Sequence, residues 1–166
     1  MGVDDARRRG PGTPPEFGAW VEPELAKMSR LAARLAPKAD RDDVVQEALV
    51  RAWRKRGQYD ESRGTTGTWL LAITADQARR ARRRQQPGAL VAEITVPGRS
   101  SDDRVDVEAA VARLPKRQKL AIDCFYFVGL SVVETAAVMG CSDGTMKSTL
   151  SDARKRLRPL LEVDDE

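Results

Sequence analysis

Lys147, Ser148 and Ser151 stand at one-turn spacing behind the segment Ser142-Asp143-Gly144-Thr145. Small polar residues let a helix come close to base edges and phosphates, and a lysine ammonium reaches guanine or phosphate. Arg154 and Lys155 lie further along, where phosphate contact is the expected use. A second concentration of cations, Arg79-Arg80-Ala81-Arg82-Arg83-Arg84, places five arginines in six positions. Basic helix ends often serve only the helix dipole. Five guanidinium groups exceed that need, so some are expected to meet phosphate.

Three acids, Asp42, Asp43 and Glu47, raise the alternative of metal chemistry, since Asp43 and Glu47 share a helix face. No second acidic cluster at helical spacing faces them. The chain has no histidine, so the commonest general base and transition-metal ligand is missing. The acids better serve a charged, partly apolar face with Leu49, Val50 and Trp53, suited to a helical partner. Cys124 and Cys141 fit no zinc spacing and are read as buried core. No catalytic residue, metal or cofactor is expected. The polar stretch 58–68, between Tyr59 and Trp69, reads either as a plain connector or as a loop able to hold an unstacked base beside a basic helix. Trp69 itself is assigned mostly to packing.

These residues need helices to position them. Phe17, Trp20/Val21, Leu25, Met28, Leu31/Ala32 and Leu35 recur at three- and four-residue steps, with Pro23 in a first turn or a break. Asp40 with Asp43 suggests a helix start, followed by a helix ending near Gly57. A third helix runs from near Thr68 into the arginines, with Pro87-Gly88 as its stop. A second helical block is expected from Asp106, interrupted at Leu114-Pro115, with Pro115 at the first position of a new helix. Ser131 and Glu134 form a capping box, Gly140 ends that helix, and Ser142 caps a last helix running to about Leu161. Val138, Met146, Leu150, Ala153 and Leu157 would be its buried side. Two short helices around a glycine turn, the second long and basic, are the plan of a helix-turn-helix whose second helix enters the DNA major groove.

The 166 residues are 41% apolar and 33% charged, room for one ordinary domain or two small ones. No strands are expected. No segment nears the roughly 18 apolar residues of a membrane span, and the start has no signal-peptide core, so a cytoplasmic protein is expected. Residues 17–86 carry 15 Lys/Arg against 9 Asp/Glu, residues 87–106 carry 2 against 4, and residues 107–166 carry 9 of each. That pattern suggests two polyanion-facing surfaces joined by an acidic connector. The expected organisation is a disordered tail 1–15, a helical domain 16–86, a flexible linker 87–105, a helix-turn-helix domain 106–162 and an acidic tail 163–166.

The string DDVVQEALVRAW (42–53), together with LPKRQ (114–118), GLS (129–131), ETA (134–136) and GCSDGTMKS (140–148), resembles bacterial RNA polymerase sigma factors of the compact extracytoplasmic-function (ECF) type. The likeness covers roughly residues 15–162. It implies an all-α protein of two small domains, region 2 and region 4, that is not an enzyme. Such a protein binds core RNA polymerase, directs it to promoters, aids melting and is controlled by an anti-sigma factor. By the resemblance, Asp43, Gln46, Glu47, Leu49, Val50 and Trp53 would face the clamp helices of the largest polymerase subunit, and the flap would be a further contact. Tyr59, Asp60, Arg63, Gly64, Thr65, Thr66 and Thr68 of the loop, with Asp76, Arg79, Arg80 and Arg83 of the next helix, would meet the −10 element. Ser142, Asp143, Gly144, Thr145, Lys147, Ser148, Ser151, Arg154 and Lys155 would read the −35 element. The chain departs from the family where Ala75-Asp76 and Arg80 replace the usual Arg-Asn and Asp. It departs again where Thr149 and Asp152 stand in place of frequent arginines. A regulator binding DNA without polymerase would not need residues 40–84.

Overall fold

A computed structural model describes residues 10–85 and 102–162, the side chains of the second stretch over 106–161. The described residues hold helices, turns and short connections, with no strand. The chain divides into two compact units, Met1–Pro87 and Gly88–Glu166.

In the first unit α1 (Pro14–Val21) leads through a 3-10 turn at Glu22–Glu24 into α2 (Leu25–Leu35). Pro23 sits in that turn, where its missing N–H costs no helical bond. Helix α3 (Arg41–Lys55) starts at Asp40, whose carboxylate accepts the N–H groups of Asp42 and Asp43 at 2.9 and 3.1 Å. This satisfies donors that the first turn leaves open. Helix α4 (Thr66–Gln85) packs on both α2 and α3. Met28, Leu31, Leu70 and Leu71 fill the core, with Ala32, Ala48, Ala52, Ala75 and Ala78 at the close approaches. So many buried alanines bring helix axes close together, and the larger side chains interdigitate between them.

The second unit contains α5 (Asp102–Ala112), α6 (Lys116–Ile122), a π-helical turn (Asp123–Val128), α7 (Val132–Met139) and α8 (Asp143–Glu162). Helices α5, α6 and α7 all pack on α8. Val111, Ile122, Ala136, Met139, Met146, Leu150 and Ala153 form the shared core. The π turn buries Asp123 and Cys124 and leaves Tyr126 outside. Asp123 is only 3% exposed at its side chain and is paired with Lys119 at 2.6 Å. Gly129 closes this turn in the left-handed region at φ 81°.

Several expectations shift. Helix α1 begins at Pro14, inside the stretch read as tail, and Gly10 lies so close to the Arg56 carbonyl that any side chain there would collide. Helix α4 starts two residues before Thr68, at Thr66. Helix α5 starts at Asp102, ahead of Asp106. Pro115 is the cap of α6 and not its first residue. Cys124 is buried, but Cys141 is only half-buried. The first nine residues, the expected linker up to residue 101, including Pro87-Gly88, and the acidic end 163–166 lie outside the described residues.

Candidate nucleic-acid interfaces

Helix α8 is built by local rules. Ser131 and Glu134 cap α7 reciprocally, at 2.8 and 3.1 Å. Gly140 turns the chain at φ 65°, a conformation that disfavours any Cβ. Ser142 Oγ then accepts the Thr145 N–H at 3.2 Å and donates to Thr145 Oγ1 at 2.9 Å. Met146, Leu150 and Ala153 anchor the helix from below. Asp143, Gly144, Thr145, Lys147, Ser148, Arg154 and Lys155 are exposed, and Ser151 and Thr149 are half-buried.

The polar residues of α8 are not equally available. Ser148 and Thr149 donate their hydroxyls to the Thr145 carbonyl at 3.0 and 2.8 Å. Lys155 stands 4.0 Å from Asp152, with both side chains largely exposed, so water weakens the attraction. Arg154 turns toward the π turn: its Nε donates to the Tyr126 hydroxyl at 2.7 Å. One of its donors is therefore already committed. Tyr126, absent from every sequence-based site, stands at the edge of this helix and is 53% exposed.

In the first unit, Asp43, Gln46, Glu47 and Val50 form one exposed strip of α3, with Val50 46% exposed. Leu49 and Trp53 are half-buried at its edge. Trp53 meets the Phe17 ring edge-on at 5.3 Å, and the Arg56 guanidinium lies 3.6 Å over its ring. Its indole thus packs against two neighbours and stays half-buried.

The loop before α4 is two 3-10 turns, Arg56–Gln58 and Glu61–Arg63. The Asp60 carboxylate accepts both the hydroxyl and the N–H of Ser62, at 2.7 and 2.9 Å. Those bonds, with the Arg63 charge, hold its carboxyl below the usual range. Thr65 precedes α4, and its Oγ1 accepts the Thr68 N–H at 3.2 Å. Thr68 is buried and donates back to the Thr65 carbonyl at 2.8 Å. Tyr59 is also buried, its hydroxyl donating to the Gly64 carbonyl at 3.3 Å. Both residues, expected to meet DNA, therefore shape the loop from inside and do not present themselves to a base. Asp60, Arg63 and Thr65 are exposed, and Gly64 and Thr66 are half-buried.

Along α4, Arg80, Arg82, Arg83 and Arg84 are exposed, and Asp76 pairs with Arg79 at 3.6 Å. Ala75, in a place where the family usually has a polar residue, is fully buried. Among the described residues no three acids and cysteines gather as a metal site, and no helix is long and apolar enough to cross a membrane.

Comparisons with known proteins follow this division. Residues 20–87 match sigma-70 region 2, and residues 104–157 match sigma-70 region 4. The ECF sigma factor SigC of Mycobacterium tuberculosis (strain CDC 1551 / Oshkosh) is 33% identical over 157 residues, covering 89% of this chain and 84% of that protein. The ECF sigma-E factor of Escherichia coli K12 is 31% identical, covering 81% and 83%. Among solved structures, the sigma factor RpoE of Bartonella quintana, in complex with the anti-sigma factor NepR, matches with TM-score 0.64 and 30% identity over 90% of this chain and 98% of that one. CnrH in complex with the cytosolic domain of CnrY matches with TM-score 0.66 and 26% identity, over 93% and 92%. This chain belongs to the ECF family of RNA polymerase sigma factors. Its function is that of the family, promoter-directed initiation by RNA polymerase, and sigma factors as a class are initiation factors rather than enzymes.

Proposed function

We propose that three surfaces divide the work of this sigma factor. The exposed strip Asp43, Gln46, Glu47 and Val50, edged by Leu49, docks on the clamp helices of the largest polymerase subunit. The loop 60–66 takes an unstacked −10 base through Arg63, Thr65 and Thr66, with Arg80 and Arg83 of α4 on neighbouring phosphates. Helix α8 enters the major groove at the −35 element, with Ser142–Thr145 near the backbone, Lys147, Ser148 and Ser151 at base edges, and Lys155 on phosphate. The single observation behind this reading is α8 itself. It is a capped helix anchored by Met146, Leu150 and Ala153, with Lys147 and Ser148 exposed on its other side. A region 2 unit over 16–86 and a region 4 unit from Asp102 fit this use, as does action in the cytoplasm.

An anti-sigma partner belongs to the same proposal. RpoE of B. quintana was solved with an anti-sigma factor, and a protein that covers both units would block polymerase and DNA together. Each unit alone offers a small DNA surface, so tight promoter selection needs core polymerase. Run-off transcription with purified core polymerase on a promoter library tests the reading. The expected result is selective initiation that requires both chain and core. A nanomolar, promoter-selective footprint by the isolated chain at physiological salt would contradict it.

A further inference from the structure

We infer that helix α1 belongs to the −10 apparatus, with Trp20 as the positioning residue of the loop 59–66. The inference rests on the reading that this loop captures a base. All five aromatic residues of residues 10–85 join one cluster, and Trp20 is its hub. Its indole lies 5.1 Å from Tyr59, edge-on, and 5.6 Å from Trp69. Tyr59 and Trp69 are themselves 5.6 Å apart. Tyr59 opens the loop and Trp69 sits in the first turn of α4, so the three rings pin both ends of the loop to α1.

The pinning reaches the loop's far side through polar bonds. The Tyr59 hydroxyl donates to the Gly64 carbonyl at 3.3 Å and accepts from Thr66 Oγ1 at 3.5 Å. A buried tyrosine hydroxyl needs a partner, and here the loop supplies it, so the ring is held by α1 and the hydroxyl holds the loop. A second contact has the same sense. A Cβ at Gly67 would stand 2.8 Å from a Glu24 oxygen, so the turn after α1 presses directly on the first turn of α4. The loop has little apolar surface of its own, so its local bonds are anchored to the rest of the unit by such outside contacts. On its other side Trp20 lies 6.0 Å from Phe17, which meets Trp53 of α3. Phe17 lies ahead of the residues that match region 2.

Holoenzyme should be assembled with Trp20→Ala, Trp20→Phe and Tyr59→Phe. Each is assayed for core affinity, for binding to non-template −10 oligonucleotides with each base altered, and for 2-aminopurine fluorescence at the captured position. Trp20→Ala should keep core affinity but lose about three- to tenfold in discrimination between −10 bases, the range one aromatic pair supplies. Its 2-aminopurine signal should fall. Trp20→Phe should retain most of both, and Tyr59→Phe should lose discrimination without loss of helix. A folded Trp20→Ala that discriminates as the parent does, or that weakens all −10 sequences equally, overturns the inference. If Trp20→Ala does not fold, Tyr59→Phe decides, and unchanged discrimination there overturns it. Arg63→Ala and Thr65→Ala separate the two levels. If they alter discrimination while the aromatic variants do not, only the positioning role fails. If they too change nothing, base capture itself fails, and the positioning role with it.

Discussion

The loop of the first unit and the reading helix of the second both offer polar side chains to nucleic acid, yet they acquire their shapes by opposite routes. Helix α8 is set by its own sequence: a left-handed Gly140, a Ser142 cap, and buried residues at three- and four-residue steps. The loop has local bonds of its own, but its ends are held by a residue distant in sequence, Trp20, against the rings of Tyr59 and Trp69. A site carried on a capped helix should therefore tolerate changes elsewhere in the chain, while the loop site should be sensitive to α1. Substitutions can break or sharpen this contrast.

The largest effect is expected from Met146→Ala, which empties a fully buried position beneath α8. It should cost about 2–5 kcal/mol. Amide exchange should show the loss in the second unit, with protection in α2, α3 and α4 unchanged; equal loss in both units would break the contrast. Next, Lys147→Ala should reduce preference at one −35 position by roughly 1–3 kcal/mol. Binding of holoenzyme to −35 variants measures this, and −10 preference should not move.

On the polymerase face, Val50→Asp should weaken core binding by about 1–2 kcal/mol while leaving the melting temperature intact, because Val50 is 46% exposed. Leu49→Asp, at a half-buried position, should lower both. Pull-down on core polymerase with circular dichroism separates the two. Ser142→Ala removes a helix cap and should cost about 1 kcal/mol, seen as faster exchange in the first turn of α8 alone.

The smallest effect concerns Asp60. Its carboxyl is held below its ordinary value by the Ser62 hydroxyl and N–H. A depressed carboxylate contributes fully above its unfolded value and is lost as pH falls through the lower folded one. Loop order should therefore be flat with pH from neutrality down to the ordinary aspartate range and decline only below it. The Asp60→Asn variant should remove that acid-side decline in an NMR titration of the Ser62 amide.

How much of this was legible in the sequence follows the same division. The all-helical fold, the cap at Asp40, the Ser131/Glu134 box and the buried Met146, Leu150 and Ala153 of α8 follow from spacing, because each depends on neighbours within one or two turns. Val138, by contrast, lies on α7, and Leu157 is only half-buried. The start of α1 and the π turn did not show, because each depends on what the segment packs against. Tyr59 and Thr68 fall on the DNA side only by the family resemblance of the loop 58–68. Their burial comes from Trp20, Trp69 and Thr65, and only the fold brings Trp20 to them. Arg154 fits a phosphate contact by position on α8, and only the fold shows that the π turn brings Tyr126 to its Nε.

The most direct test of the two-reader division is a promoter library randomised at the −35 and −10 elements together, transcribed by holoenzyme carrying the parent chain, Lys147→Ala or Arg63→Ala. Lys147→Ala should change base preference only within the −35 element, and Arg63→Ala only within the −10 element. Preferences that shift at both elements with either substitution, or at neither, would contradict the division of promoter reading between α8 and the loop.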